Sequence, residues 1–287
     1  MQYKLRRYGG LDIVLIKKRE LTELSQTIRK IIDGQEIDLR ANDEGPWNIL
    51  KNDIHILAQL KNEQVAVLQH DRDALKDTMA DISHQLKTPL TSMMIMVDLL
   101  EHAPPEKRAE FIQTIKMGLV RTDWLVSTLL KMAKLEAGAV SFAHEPVHSA
   151  DLVDLALEPL YIQLEIKNQR ITLTGEAEFH CDKRWTAEAL KNVLKNASEY
   201  APADTEIRID VGQNPICTWI AVTDGGTGLS AAQMAKLFRR FEGSQSTTGY
   251  GIGLPLARAI MRGQDGDIEV AGGGNGSGAT FTLKFFK

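Results

Sequence analysis

Cysteine is almost missing from this chain of 287 residues, which holds only Cys181 and Cys217. Two thiols are too few for a disulfide framework or a thiolate metal site, and both fit reduced thiols in a cytosol. Long hydrophobic runs are missing too. The longest near the start, Leu11 to Ile16, falls far short of the ~20 apolar residues that span a bilayer. No basic start, apolar middle and cleavage site mark a signal peptide. Charge of one sign is not in large excess: the formal net charge is -4, so no global basic field recruits nucleic acid or anionic lipid. The seven histidines are scattered, without metal-ligand spacing.

What remains is ordinary for soluble globular protein, with 43% hydrophobic and 25% charged residues. The length allows two domains, each with its own core. The first twenty residues carry Lys4, Arg6, Arg7, Lys17, Lys18 and Arg19. Such a cluster fits either the flank just inside a membrane helix or plain solvated charge.

Leu21, Leu24, Ile28 and Ile31 repeat at helical spacing, and Gly34 closes that seam. A polar stretch leads to Asp43-Glu44-Gly45-Pro46, and a second helical pattern starts near Trp47. Helix, short connector, helix resembles a HAMP signalling module. From Met79 the seam becomes strict: Ile82, Leu86, Pro89, Met93, Met96 and Leu100 follow in alternating steps of three and four. Pro104-Pro105 breaks this helix, and Pro105 suits the first position of the next. That helix is expected to turn Phe111, Ile115, Leu119, Leu125, Leu129 and Met132 inward and to stop at Gly138. Two long helices with one apolar stripe each leave an edge open in a monomer. A homodimeric four-helix bundle covers it.

After Pro146 the pattern changes. Helices are expected at 150–166, 182–200, 230–238 and 251–262, with strands near 170–174, 205–211, 216–223, 267–271 and 279–286. This is an α+β layer, a mixed sheet covered on one face by helices. The expected domains are a basic segment (1–19), HAMP-like linker helices (20–74), a helical hairpin (75–142) and the α+β layer (143–287).

On the frame set by Met79 and Ile82, His84 points away from the hairpin core, with Thr88 one turn later on the same face. A lone surface histidine is usually only solvated. Here Asp81-Ile82-Ser83-His84-Gln85-Leu86-Lys87-Thr88-Pro89-Leu90 resembles the H box of histidine kinases, in which the histidine is the phosphoacceptor. An exposed imidazole is mostly neutral at pH 7, so a ring nitrogen keeps its lone pair for phosphoryl transfer. Pro89 removes a donor to the Gln85 carbonyl, which is expected to bend the helix locally. The family usually has an acidic residue after the histidine; Gln85 can orient the ring but takes no proton, which implies a slower autokinase. The resemblance makes Thr88 the residue that orients a water for phosphatase activity.

Four further motifs resemble the nucleotide site of the same family. In Leu190-Lys191-Asn192-Val193-Leu194-Lys195-Asn196-Ala197, two amides share one helix face. Hard Mg²⁺ prefers oxygen ligands, and similarity to the N box makes Asn196 the metal ligand and sets Asn192 beside the phosphates. Tyr200 stands where the family often has an aromatic near the nucleotide, while Glu199 replaces a frequent lysine. Asp224-Gly225-Gly226-Thr227-Gly228 resembles the G1 box, whose carboxylate accepts from the adenine amino group while Gly226 and Gly228 let the backbone turn beneath the base. Gly225 stands where Asn is common.

Leu237-Phe238-Arg239-Arg240-Phe241 is similar to the F box, with Arg240 the candidate phosphate contact. Gly249, Gly251 and Gly253, followed by Leu254, open a helix as an anion nest and resemble the G2 box, after a polar lid at 244–248. Thr280 fits the final glycine-threonine element that helps hold adenine. A Rossmann or Walker reading fails, because no acidic second-strand residue and no Gly-Lys-Ser/Thr accompany the glycines.

Taken together, residues 75–287 resemble a sensor histidine kinase: a dimerisation hairpin followed by an ATP-binding domain of the GHKL type. The resemblance implies ATP and Mg²⁺, autophosphorylation of His84 and transfer to an aspartate of a response regulator receiver domain. It also implies a cytoplasmic catalytic region, with membrane contact only through a segment absent from this chain. Two other classes stay open. An ATPase of the gyrase, MutL and Hsp90 type needs a carboxylate on the Asn helix to activate water, and Glu188, one turn before Asn192, sits roughly where it would be. A non-catalytic docking module would accommodate the departures at Gln85, Gly225 and Glu199.

Overall fold

The computed structural model describes residues 6–8, 11–13, 18–32, 46–241, 251–273 and 278–287, which fall into two units, Met1–Met79 and Ala80–Lys287. In the first unit, strands β1 (Arg6–Tyr8) and β2 (Leu11–Ile13) pair antiparallel, a hairpin that the basic composition of this segment hid. Helix α1 (Lys18–Ile32) buries Leu24 and Ile31, two residues of the expected seam. The connector at 34–45 lies outside the described residues. Helix α2 (Pro46–Glu101) opens on a proline, whose fixed φ suits a first turn, and continues into the second unit. No helix among the described residues is long and apolar enough to cross a membrane.

In the second unit α2 runs without interruption through Pro89. Its partner α3 (Pro105–Glu136) starts after Pro104 in extended conformation, with proline in its first turn. Gly138 adopts φ 62°. The Ala139 and Gly138 amides donate to the carbonyls of Lys134 (2.9 Å) and Leu135 (3.1 Å). These two bonds form a Schellman cap that satisfies the helix's last carbonyls.

One residue of the stripe expected on α3 is corrected. Leu119 is 57% exposed, and Gly118 takes the inward place. A Cβ there would come within 2.6 Å of Met93 Cγ, so the missing side chain makes room for Met93, itself buried. Leu119 then joins Ile112, Val126 and Leu130 in a second exposed apolar stripe on α3.

The α+β layer holds a five-stranded sheet in the order β4-β6-β7-β9-β8, from β4 (Arg170–Thr174), β6 (Glu206–Gln213), β7 (Cys217–Thr223), β8 (Gly266–Gly272) and β9 (Ala279–Phe286). The β4–β6 pair is parallel and the rest antiparallel. Alternate residues such as Ile207, Ile209, Ile220, Val222, Phe281 and Leu283 are buried, a period of two that commits one face to a core. Against that face pack α4 (Ser149–Leu157), α6 (Lys183–Tyr200) and α8 (Gly253–Arg262), whose buried residues belong to the same cluster.

Three helix expectations change. The 150–166 span breaks at a 3-10 turn, Glu158–Leu160, because Pro159 lacks the amide an α-helix interior needs; α5 (Tyr161–Ile166) follows it. At 230–238 only α7 (Ala231–Met234) is helical, closed at its start by a Ser230–Gln233 capping box. The last helix begins at Gly253 and not at 251. A small sheet of β3 (Glu145–His148) and β5 (Glu178–Cys181) was not expected.

Candidate functional site

His84 lies exposed on α2, on the side away from the packed seam. The Thr88 hydroxyl donates to the His84 carbonyl (3.1 Å), which leaves its oxygen lone pairs outward. Gln85 is half-buried beside the seam.

The nucleotide candidates collect around α6, the end of β7 and the start of α8. Helix α6 is fixed at its start by Asp182, whose carboxylate accepts from the Arg184 (3.1 Å) and Trp185 (3.0 Å) amides. This sets the two asparagines four residues apart along one face. Asn192 is buried and its Nδ2 donates to the Glu188 carbonyl (2.8 Å), which turns Oδ1 toward α8. A Cβ on Gly253 would lie 2.9 Å from that oxygen, so glycine is what lets the α8 N-terminus meet Asn192. Among the described residues the Asn196 amide makes no hydrogen bond, a free oxygen donor of the kind Mg²⁺ takes.

At the end of β7, Asp224 is buried and Oδ1 accepts from the Gly226 (2.8 Å) and Ala279 (3.1 Å) amides. Its own amide donates to the Ala279 carbonyl (3.0 Å). Among the described residues Oδ2 has no hydrogen-bond partner, so one carboxylate oxygen is left for a ligand. The loop needs its glycines: a Cβ on Gly228 (φ 81°) would lie 2.0 Å from the Gly273 carbonyl oxygen. On Gly226 it would lie 3.1 Å from the Tyr200 carbonyl oxygen. The Thr280 and Thr223 hydroxyls are 3.0 Å apart, across the ladder beside Asp224. Tyr200 is half exposed; burial and the Glu199 carboxylate raise its phenol pKa. Gly251 has φ 67°, and Leu254 is buried at the start of α8. Gly249 and the lid at 244–248 lie outside the described residues.

Other features were not legible in sequence. Arg240 pairs with Glu136 at the end of α3, and burial lowers its pKa. Glu188 is gripped by Lys191 (2.6 Å) and by Lys131 of α3 (3.1 Å). Burial pushes the Glu188 carboxyl pKa up, but the hydrogen bond and charge of Lys191, with Lys131, outweigh it and hold the pKa below the usual range. A water-activating base needs a free oxygen and some affinity for protons; this carboxylate has both oxygens paired. Arg258 of α8 lies 4.4 Å from the Phe238 ring centre and forms a fork with Asp267 (2.7 and 3.1 Å). Apart from the i,i+3 pair of Glu188 and Lys191 on α6, sequence separation concealed these pairs.

Comparison with known proteins agrees with this arrangement. Residues 74–138 match the His Kinase A (phospho-acceptor) domain. Residues 181–287 match the histidine kinase-, DNA gyrase B- and HSP90-like ATPase family. The chain is 28% identical over 273 residues to the swarming motility regulation sensor protein RssA of Serratia marcescens, covering 92% of this chain and 57% of that protein. It is 25% identical over 276 residues to the signal transduction histidine-protein kinase/phosphatase MprB of Mycobacterium sp. (strain KMS), covering 91% and 51%. The chain thus spans about half the length of these curated relatives. The solved complex of histidine kinase ThkA with response regulator protein TrrA is similar in fold, with TM-score 0.63 at 17% identity, covering 79% of this chain and 66% of that one. A phospho-acceptor hairpin ahead of an ATPase layer, in one chain and in this order, makes the protein a member of the sensor histidine kinases of two-component systems.

Proposed function

We propose that this protein is an ATP-dependent protein-histidine kinase that phosphorylates His84 and passes the phosphoryl group to an aspartate of a response regulator. The observation that carries the reading is an exposed histidine on a helical hairpin joined, in one unit, to a layer whose polar groups fit a nucleotide. Asp224 Oδ2 and the glycine-lined turn around it suit the adenine edge, with Thr280 alongside. Asn192 and the α8 N-terminus, where backbone amides and the helix dipole converge, suit the phosphates, with Gly251, Gly253 and Leu254 shaping the approach and Tyr200 at the rim. Mg²⁺, held by Asn196, would neutralise charge on the triphosphate during transfer.

In the step itself a neutral ring nitrogen of His84 attacks the γ-phosphorus, the bond to the β-phosphate oxygen breaks, and ADP leaves. The ring proton passes to water, because Gln85 accepts a hydrogen bond but no proton. Positioning and electrostatics supply most of the rate in such a reaction. The similarity to MprB, a histidine-protein kinase/phosphatase, supports a second activity here: Thr88 would orient a water toward the phosphorylated partner.

The hairpin spanning 75–142 would supply the homodimer, whose four-helix bundle covers the stripe of Leu119, Val126 and Leu130 left exposed on α3. The response regulator partner is supported by the ThkA–TrrA complex, and the layer at 143–287 by its ATPase match. The cytoplasm supplies the ATP, with any membrane contact made through a segment outside these residues. Incubation with radiolabelled Mg-ATP is expected to leave an acid-labile, base-stable label on the protein that disappears in His84→Gln. Steady phosphate release with no labelled protein sinks the reading and favours an ATPase, which the paired state of Glu188 argues against.

A further inference from the structure

Glu136 is the last helical residue of α3. A helix C-terminus carries partial negative charge, so an acidic side chain there is unfavourable on its own. What offsets it is Arg240, whose guanidinium pairs with the Glu136 carboxylate. The pair is only part-solvated, with the Arg240 side chain 29% exposed and Glu136 52%.

Around it the same face of α3 is fastened to the α+β layer. Leu125 and Met132 are buried in the shared core, Lys131 pairs with Glu188 (3.1 Å), and Lys195 lies 5.1 Å from the Trp124 ring centre. Arg240 is also fixed through the residue that follows it. The next residue, Phe241, adopts φ 60° and donates its amide to the Gly251 carbonyl (3.1 Å), which pins the two ends of the intervening segment together. A guanidinium fork presents its donors in one plane. A phosphate and a carboxylate brought to it together would repel each other, so the two anions compete.

We propose that Glu136 is a latch on Arg240: the γ-phosphate of ATP displaces it, whereas ADP, which has no γ-phosphate, leaves the pair closed. This rests on the reading of residues 181–287 as a nucleotide site with Arg240 facing the phosphates. Discrimination between ATP and ADP is thereby coupled to the fastening of the catalytic layer on α3, and charging the site loosens the layer from the hairpin it must phosphorylate.

The test is calorimetric titration of the full chain with MgATP and MgADP, in the wild type, Glu136→Gln, Arg240→Gln and the double variant, in a His84→Gln background so that no phosphate is transferred. Glu136→Gln is expected to tighten MgATP roughly three- to five-fold, the worth of a part-exposed ion pair, and to leave MgADP unchanged. Arg240→Gln is expected to weaken MgATP selectively, and adding Glu136→Gln to it to change nothing further. The latch is overturned if Glu136→Gln affects both nucleotides alike or neither. It is also overturned if Arg240→Gln binds MgATP as tightly as the parent, in which case the nucleotide site stands without Arg240. If the parent binds neither nucleotide, the nucleotide reading itself fails.

Discussion

Gly278 and Gly138 both adopt left-handed backbone, with φ 73° and 62°, yet alanine should be tolerated very differently at the two. At Gly138 an added Cβ meets nothing within 4 Å. The cost is the left-handed penalty alone, ~1–2 kcal/mol, reduced by the smaller entropy of the unfolded chain to about 1 kcal/mol net. At Gly278 the same penalty applies, and the Cβ would also lie 1.8 Å from the Asp224 carbonyl oxygen. The backbone there must move, which strains the Gly273–Gly278 bond (2.8 Å) and both Asp224–Ala279 bonds (3.0 and 3.1 Å). At ~0.5–1.5 kcal/mol for each lost bond, the total reaches roughly 3–5 kcal/mol. With ~2–4 °C of melting shift per kcal/mol for a unit of this size, Gly138→Ala should melt about 3 °C below the parent and Gly278→Ala about 10 °C below. Circular dichroism melts measure this, and calorimetric titration with MgADP adds a second readout. Gly138→Ala should bind normally. Gly278→Ala should bind at least about ten-fold more weakly, since a 1.4 kcal/mol loss at Asp224 is already a factor of ten. Melting points within ~2 °C of each other, or unchanged nucleotide affinity in Gly278→Ala, would refute the close-approach reasoning.

Gln85→Glu restores a proton acceptor beside His84 and should raise the initial autophosphorylation rate, up to the ~10²–10⁴ that general-base catalysis supplies; an unchanged rate in a radiolabel time course removes the case for a missing base. Asp267 should give an acid-side stability signature. Burial raises its carboxyl pKa, but hydrogen bonds from Arg258, Arg262 and the Ile268 amide outweigh this and hold it at about 2 against a usual 3.8. Because the folded value is depressed, the stabilisation is fully present above pH ~4 and is lost as the pH falls from there toward 2, an amount of roughly 1 kcal/mol after discounting for solvent screening. Asp267→Asn should abolish that component of the pH dependence in urea titrations, and a parallel pH profile in the variant would contradict the assignment.

By itself the sequence determined the features that depend on local period and backbone chemistry. The strands of the main sheet show alternation, as in β6 and β9, where every second residue is buried. Pro104-Pro105 and Gly138 bound α3 where expected, because a missing amide and a positive φ are local requirements. The outward setting of His84 also follows from the heptad step alone. Asn192, Asp224 and the glycines around them were legible as motifs, since spacing on one helix or turn places their atoms.

Tertiary structure decided what requires two distant segments to meet. Gly118 and not Leu119 faces inward, because Met93 on the other helix fills the space. The β3–β5 sheet joins two four-residue strands from opposite sides of α4 and α5, each too short to show a period. Glu188 carries the residue type of a catalytic base, and only the convergence of Lys131 from α3 with Lys191 neutralises it. Arg240 carries the residue type of a phosphate ligand, yet docking of the layer on α3 hands it to Glu136. Residue type and spacing set what a side chain is able to do; which charge it actually faces depends on long-range packing, and Coulomb interactions follow distance in space and not along the chain.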